Sequence, residues 1–307
     1  MPTRRKRKLL SKKKHKYKKK YVWLIILLSL LIIGIYYILR TNKWNGNNKL
    51  SLVVRNNDDS LSVLVFDPEI EEIYKLNIPG NTEIEVAGNL GLWKIKSLWK
   101  LSSQEGLDGE LVVRSITLGM NLPVYNWADT PALGLVEPGL KSFFNSVFAL
   151  YETDLTLGDR LRLFVFSTKI ENSKRVEINL DTTSFLEKEI LADGEEGYRV
   201  SKTSPQNILA IFSEPELSGG VSLVSVINSS GSGRLARDVG EVIEVLGGKI
   251  SSIDNRDVYD GVCILKTKRE ATLKIMLKIF ECEKYLVQKD QSFDVEIVLG
   301  KKFALEY

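Results

Sequence analysis

A membrane-spanning helix followed by a mixed α/β outer region is the architecture this sequence predicts, and three observations predict it. Residues 21–39 (YVWLIILLSLLIIGIYYIL) contain no charge across nineteen positions. Residues 50–200 mix short β-like runs with helix-like stretches. Residues 221–307 place two helices of one-sided apolarity among strand-like segments in the order βαββαβ, so that both helices cover one face of a four-stranded sheet in a small two-layer sandwich.

The apolar run comes first in the argument because its flanks orient it. Twelve Lys/Arg and no acid fill positions 1–20. At about 1.5 Å per residue the run covers roughly 28 Å of a ~30 Å hydrocarbon core. Tyr21 and Trp23 stand at one end and Tyr36 and Tyr37 at the other, where amphipathic rings favour the headgroup level. Positive charge stays in the cytoplasm, so the reading is a single-pass protein of the cell membrane with residues 41–307 outside. A cleaved signal peptide fits less well, since Tyr36-Tyr37-Ile38-Leu39-Arg40 offers no small-x-small site. The expected organisation is a basic tail at 1–20, the membrane helix at 21–39, a linker at 40–49, a first domain at 50–200, a linker at 201–220 and a second domain at 221–307.

The net charge of +4 conceals an asymmetry. The first fifty residues hold fifteen of the 43 Lys/Arg and no acid, leaving 28 against 39 Asp/Glu beyond them, a formal charge of −11. An acidic body disfavours nucleic acid as a partner, and a basic tail beside an apolar run reads as a topology signal that contacts anionic lipid. The one histidine, His15, lies in that tail. The outer region therefore has no imidazole for a Ser-His-Asp, Cys-His or His-bearing zinc site. Cys263 and Cys282, nineteen positions apart, show no metal pattern; two buried thiols are the favoured expectation, with a bridge in an oxidising exterior as the alternative.

Along the first domain, residues 50–55, 61–66, 73–78 and 83–86 read as strands separated by Asn, Asp, Pro and Gly. Residues 92–101, 109–118, 140–150 and the start of 157–166 read as helical, and 175–180 as strand. Residues 201–220 carry two prolines and end in Gly-Gly, as a connection would, with 208–212 apolar enough to pack. In the second domain 221–228, 249–254, 261–266 and 293–299 read as strands. Leu235, Val239, Val242, Ile243 and Leu246 form one helical stripe, and Leu273, Met276, Leu277 and Phe280 another, opened by a Thr267…Glu270 capping-box spacing.

Several clusters bear on chemistry. Asn228-Ser229-Ser230-Gly231-Ser232-Gly233, between strand and helix, could present backbone N–H groups to an anion through Asn228, Ser230, Gly231 and Gly233. It lacks a Walker lysine, and a tight turn with a Ser N-cap is the plainer reading. Asp254, Asp257 and Asp260 recur every third residue without the Gly and Glu of an EF-hand and read as a solvated turn. Asp58-Asp59 could take Mg²⁺ with a further ligand from elsewhere. Trp93, Trp99 and Trp127 with Tyr125 could stack sugars, but Leu92 and Leu98 beside the first two favour a core segment.

Residues 221–303 resemble the LytR C-terminal domain through Val226-Ile227-Asn228-Ser229-Ser230-Gly231, Leu235-Ala236, Gly247-Gly248 and Val298-Leu299-Gly300-Lys301-Lys302-Phe303, with Lys302 where the family commonly carries an acid. The front half is similar to the catalytic LytR-CpsA-Psr domain, whose members move glycopolymers from polyprenyl pyrophosphate carriers onto the cell wall. The matching stretches are 59–68 (DSLSVLVFDP), 73–82 (IYKLNIPGNT) and 109–127. Gly80-Asn81 stands at the family's Arg-Asp, and Asn57 where an upstream Arg is expected, so Asp59 alone carries over. Phosphate transfer needs cations on the leaving group, and a Gly in place of Arg removes charge and bidentate geometry together.

The resemblance with these departures implies a non-catalytic binding or scaffolding protein of cell-wall glycopolymer assembly, with no cofactor and with the lipid bilayer, glycopolymer or envelope proteins as partners. The alternative it implies is an active phosphotransferase holding Mg²⁺ or Mn²⁺ at Asp59. No catalytic residue is assigned.

Overall fold

Strand β2 (Leu61–Asp67) is buried along its whole length, which fixes the plan of the front half: a strand covered on both sides needs a layer on each face. It pairs antiparallel with β1 (Leu50–Arg55) and β3 (Glu72–Ile78). The parallel strands β6 (Asn126–Ala128) and β7 (Arg175–Asn179) complete a five-stranded sheet, β6-β1-β2-β3-β7. The computed structural model describes residues 21–29, 34, 43–137, 139–201, 205–219, 222–286 and 293–307.

Alternation sorts the side chains to the two faces. Val53, Val63, Val65, Leu76 and Ile78 join one core with helices α1 (Ile95–Gln104) and α2 (Glu110–Gly119). Leu50, Leu52, Val54, Leu64 and Phe66 join another, after the short α3 (Leu140–Phe143), with α4 (Leu157–Lys169) and Trp44. Each such fully buried side chain contributes roughly 1.5–3 kcal/mol, so both layers are held firmly. Helix α4 starts in a capping box, Thr156 Oγ1 accepting from Asp159 N (3.1 Å) while Asp159 accepts from Thr156 N (3.1 Å).

A second sheet, β5-β4-β9-β8, joins β4 (Thr82–Val86), β5 (Gly91–Lys94), β8 (Leu186–Ile190) and β9 (Glu196–Val200). The helix expected over 92–101 therefore begins only at Ile95, and Leu92 and Trp93 lie outward on an edge strand. Residues 201–220, expected as a connection, hold α5 (Gln206–Phe212) and α6 (Pro215–Ser218). Ile208 and Phe212 enter the core of the front half, while Leu217 enters that of the second domain.

The second domain has a five-stranded sheet rather than four strands, β11-β10-β14-β12-β13. Its strands are β10 (Leu223–Ser229), β11 (Lys249–Asn255), β12 (Cys263–Thr267), β13 (Glu283–Leu286) and β14 (Val295–Gly300). The expected order misses β13 and the closing helix α9 (Lys301–Glu306) and places α7 (Leu235–Val245) and α8 (Glu270–Phe280) correctly. The apolar stripe of α7 is buried, as are Leu273, Met276 and Phe280 of α8. The capping box does not form: Arg269 is the N-cap, and Thr267 Oγ1 accepts from Arg269 N (3.1 Å). Cys263 and Cys282 are joined in a disulfide, which corrects the expectation of two thiols.

The tail at 1–20 and most of 21–39 lie outside the described residues; 21–29 are helical. Among the described residues no helix is long and apolar enough to cross a membrane. Residues 43–49, expected as linker, are pinned to α4: Lys43 N and Trp44 N donate to Asp159 (3.2 and 2.9 Å), and Arg162 donates to Trp44 O (2.7 Å).

Candidate functional site

Asp59 lies in the turn between β1 and β2 with left-handed backbone (φ 59°), a conformation that Asp tolerates better than most residues. Its Oδ1 pairs with Arg55 at 2.9 Å on the surface. Asp58 accepts from Ser60 Oγ (2.6 Å) and Ser60 N (3.2 Å), hydrogen bonds that hold its carboxyl below the usual range. Gly80 sits against this turn: a Cβ there would stand 3.2 Å from Asp59 O and 3.3 Å from Lys96 Cβ, so a longer side chain would have to push both aside. Asn81 donates its amide to Glu196 O (3.2 Å). The fold thus brings Asp59 and Gly80 together, and the cation beside Asp59 is Arg55, which the sequence comparison passed over. Exposed pairs of this kind contribute little, so Asp59→Asn is expected to change folding stability by less than about 0.5 kcal/mol in a denaturant titration.

The 228–233 loop uses its polar groups on itself. Asn228 Oδ1 accepts from Ser230 N (3.1 Å) and Ser230 Oγ (2.6 Å), and Asn228 Nδ2 donates to Ser232 O (2.7 Å). Gly231 supplies the left-handed turn at φ 82°, and Gly233 has open space around it. No Ser caps α7; its N-cap is Arg234. Among the described residues no group of three or more His, Cys, Asp or Glu is placed to hold a metal ion, and this covers Asp254, Asp257 and Asp260.

The arrangement with chemical potential lies elsewhere, in a cleft of about 410 Å³ between the front half and the second domain. Helix α2 contributes Glu110 and Arg114, β6 contributes Trp127 and the residue before it Tyr125, and the end of α8 contributes Lys278. Arg114 is largely shielded and lies over the Tyr307 ring at 5.1 Å. Its guanidinium is shared loosely among Glu281 (3.6 Å), Glu110 (3.7 Å) and Glu306 (3.9 Å), with no bidentate pair. Tyr307 stacks on Phe303 (4.3 Å) and donates to Ile279 O (2.8 Å), which fixes the platform.

Lys278 has no ion-pair partner among the described residues. Its ammonium lies 5.2 Å above the Tyr125 ring, and burial pulls its pKa down against the opposing pull of Glu214 and Glu216. Across the cleft, burial pushes the Asp154 carboxyl up, opposed by hydrogen bonds from Trp127 N (2.9 Å) and Asn126 (2.6 Å) and by Lys43 at 3.3 Å. Glu281, which ends α8, holds a left-handed backbone (φ 49°) where Gly is the usual choice, and this aims its carboxylate at Arg114. Trp127 packs edge-on against Trp99 at 6.1 Å, so these two serve the core, with Trp127 also reaching the cleft wall. A cleft with one ammonium outside ion-pair distance of every described carboxylate and a loosely held guanidinium suits a ligand that carries anionic groups.

No protein-family model matches the sequence, and no curated protein matches it. Solved structures similar to it include B. subtilis TagT (15% identity, covering 54% of this chain and 88% of that chain, TM-score 0.37). B. subtilis TagV is another (10% identity, 53% and 94%, TM-score 0.38). A third is the LytR-CPS2A-psr family protein YwtF (TagT) with bound octaprenyl pyrophosphate lipid (14% identity, 56% and 90%, TM-score 0.38). At these scores the likeness is partial, and the chemistry of the cleft stands on this chain's own side chains.

Proposed function

We propose that this chain is an extracytoplasmic protein of the cell envelope, anchored by residues 21–39, that binds an anionic cell-wall glycopolymer in the cleft between its two halves without transferring it. The observation that carries the reading is Lys278, a partly desolvated ammonium with no carboxylate at ion-pair distance among the described residues, set over Tyr125 beside Arg114 and Tyr307. A phosphodiester would pair with that ammonium, with the Arg114 guanidinium beside it. The sequence resemblance supports the same ligand class, and Gly80 and Asn81 argue against transfer because neither can neutralise a pyrophosphate.

A second reading has one observation behind it: Arg55, 2.9 Å from Asp59, supplies a cation beside the one carried-over carboxylate. With Mg²⁺ or Mn²⁺ there, the chain would act on a polyprenyl pyrophosphate.

Isothermal titration of the detergent-solubilised full chain separates the two. Glycerol-phosphate glycopolymer fragments are expected to bind without metal, with Lys278→Ala weakening them at least about tenfold and Asp59→Asn leaving them unchanged. No binding of the fragments, or an affinity indifferent to Lys278→Ala, would remove the cleft from consideration. Metal-dependent binding of a short polyprenyl pyrophosphate, lost in Asp59→Asn, would favour the transferase instead.

A further inference from the structure

Outside the cleft, an unexplained feature is an apolar surface on α3, the π-helical turn that follows it (Phe144–Phe148) and α4. Leu140, Phe144, Phe148 and Leu150 are 83%, 60%, 54% and 100% exposed, and Leu161 and Val165 stand outward on α4. Phe143 holds this surface in place, packing on Phe164 (4.9 Å) beneath Phe144 (5.4 Å) and Phe148 (5.3 Å). Apolar rings that protrude from a rigid support are costly to leave in water and call for an occupant.

The chain itself says what the occupant is. Lys43 N and Trp44 N are hydrogen-bonded to Asp159 in the first turn of α4, and the next residue, Arg160, donates to Ala149 O (3.0 Å) between Phe148 and Leu150. The apolar run ends at Leu39. Four residue steps reach at most about 14 Å, close to the depth of one headgroup layer plus a few water diameters. Lys43 can therefore stand no farther than that from the end of the run, and the start of α4, with the apolar surface next to it, is tied to Lys43 by these hydrogen bonds. Lys141, exposed at the edge of the surface, and Arg160, held over the Tyr151 ring at 4.8 Å, supply cations at the level of lipid phosphates.

We propose that this face seats on the outer leaflet of the bilayer, with Phe144, Phe148 and Leu161 entering the headgroup–acyl boundary, so that the outer region is held in one orientation on the membrane. The inference rests on the anchor proposed above, and the test separates them. The full chain is reconstituted into phosphatidylethanolamine–phosphatidylglycerol vesicles with or without a phospholipid spin-labelled near the headgroup. A small fluorescent amino acid is placed in turn at Ile26, Phe144, Phe148, Leu161 and Tyr285. Quenching is expected at Ile26, Phe144, Phe148 and Leu161 and not at Tyr285, which is exposed on β13. Quenching at Ile26 alone would overturn the docked face and leave the anchor; no quenching at Ile26 would overturn both. In a Phe144→Ser, Phe148→Ser double variant the quenching at Leu161 is expected to be lost while that at Ile26 persists. Retention at Leu161 would show that the rings do not seat the face.

Discussion

Glu214→Gln is expected to stabilise the protein by about 2–3 kcal/mol at about pH 8 and to leave its stability at about pH 4 almost unchanged. Glu214 is 6% exposed, and its backbone is locked at the junction of α6 and α7: its N–H donates to Leu246 O (2.9 Å), and its carbonyl accepts from Leu217 N and Ser218 N (3.0 Å each). The carboxylate does not cap α6. Burial pushes its pKa up to about 7; Lys49 and Lys278 pull the other way, and Glu216 and Asp67 add to the rise. Lys49 cannot neutralise it fully, being paired with the buried Asp67 at 2.8 Å. With the folded pKa above the unfolded value, the folded state retains a proton that the unfolded state has released. This contribution is present below the unfolded pKa and lost as pH rises through the folded one, over the window from about 4.5 to 7. Gln is uncharged throughout. Denaturant titrations of both proteins at the two pH values isolate the group from every other titrating residue, and parallel pH profiles would show that Glu214 ionises without cost.

What the sequence made legible follows from where the cause of each element lies. The strands β1 to β4 were readable because their apolar residues alternate between Asn, Asp and Gly turns. The helices α7 and α8 were readable because each buries one stripe. The β8–β9 hairpin was not, because LEKEI and EGYRV show little alternation and are joined by charge instead. Lys188 pairs with Glu196 (2.6 Å), and Arg199 with Glu189 (2.6 Å) and Glu83 (2.6 Å). Leu92 and Trp93 misled because an edge strand exposes what a core helix would bury. The cleft could not be read at all. Lys43, Arg114, Asp154, Lys278 and Tyr307 share no spacing, and only the docking of the two halves brings them together. Arg114 in isolation looks like a solvated mid-helix residue; Tyr307 and Glu281 make it a wall of the site.

Reduction of the Cys263–Cys282 bridge is expected to destabilise the second domain by roughly 3 kcal/mol, the chain-entropy value for a closed loop of about twenty residues. The loop encloses β12 and the whole of α8, so the bridge ties the end of that helix back to the start of the strand it covers. Both cysteines are buried among Met276, Phe280 and Phe303, where the freed thiols would gain no solvation to offset the loss. The consequence reaches the cleft, because Leu277, Lys278 and Ile279 are carried by the last turn of α8 and Glu281 adjoins Cys282. Hydrogen exchange with and without dithiothreitol is expected to show earlier exchange of the α8 amides on reduction, together with weaker binding at Lys278, while β1 to β3 keep their protection. The Cys263→Ala, Cys282→Ala double variant should show the same pattern under oxidising conditions. An unchanged denaturation midpoint on reduction would mean that packing of α8 against β12 alone fixes the cleft wall. A lowered midpoint would fit the outer location proposed for this domain, since a bridge on which the cleft wall depends persists only where the surroundings are oxidising.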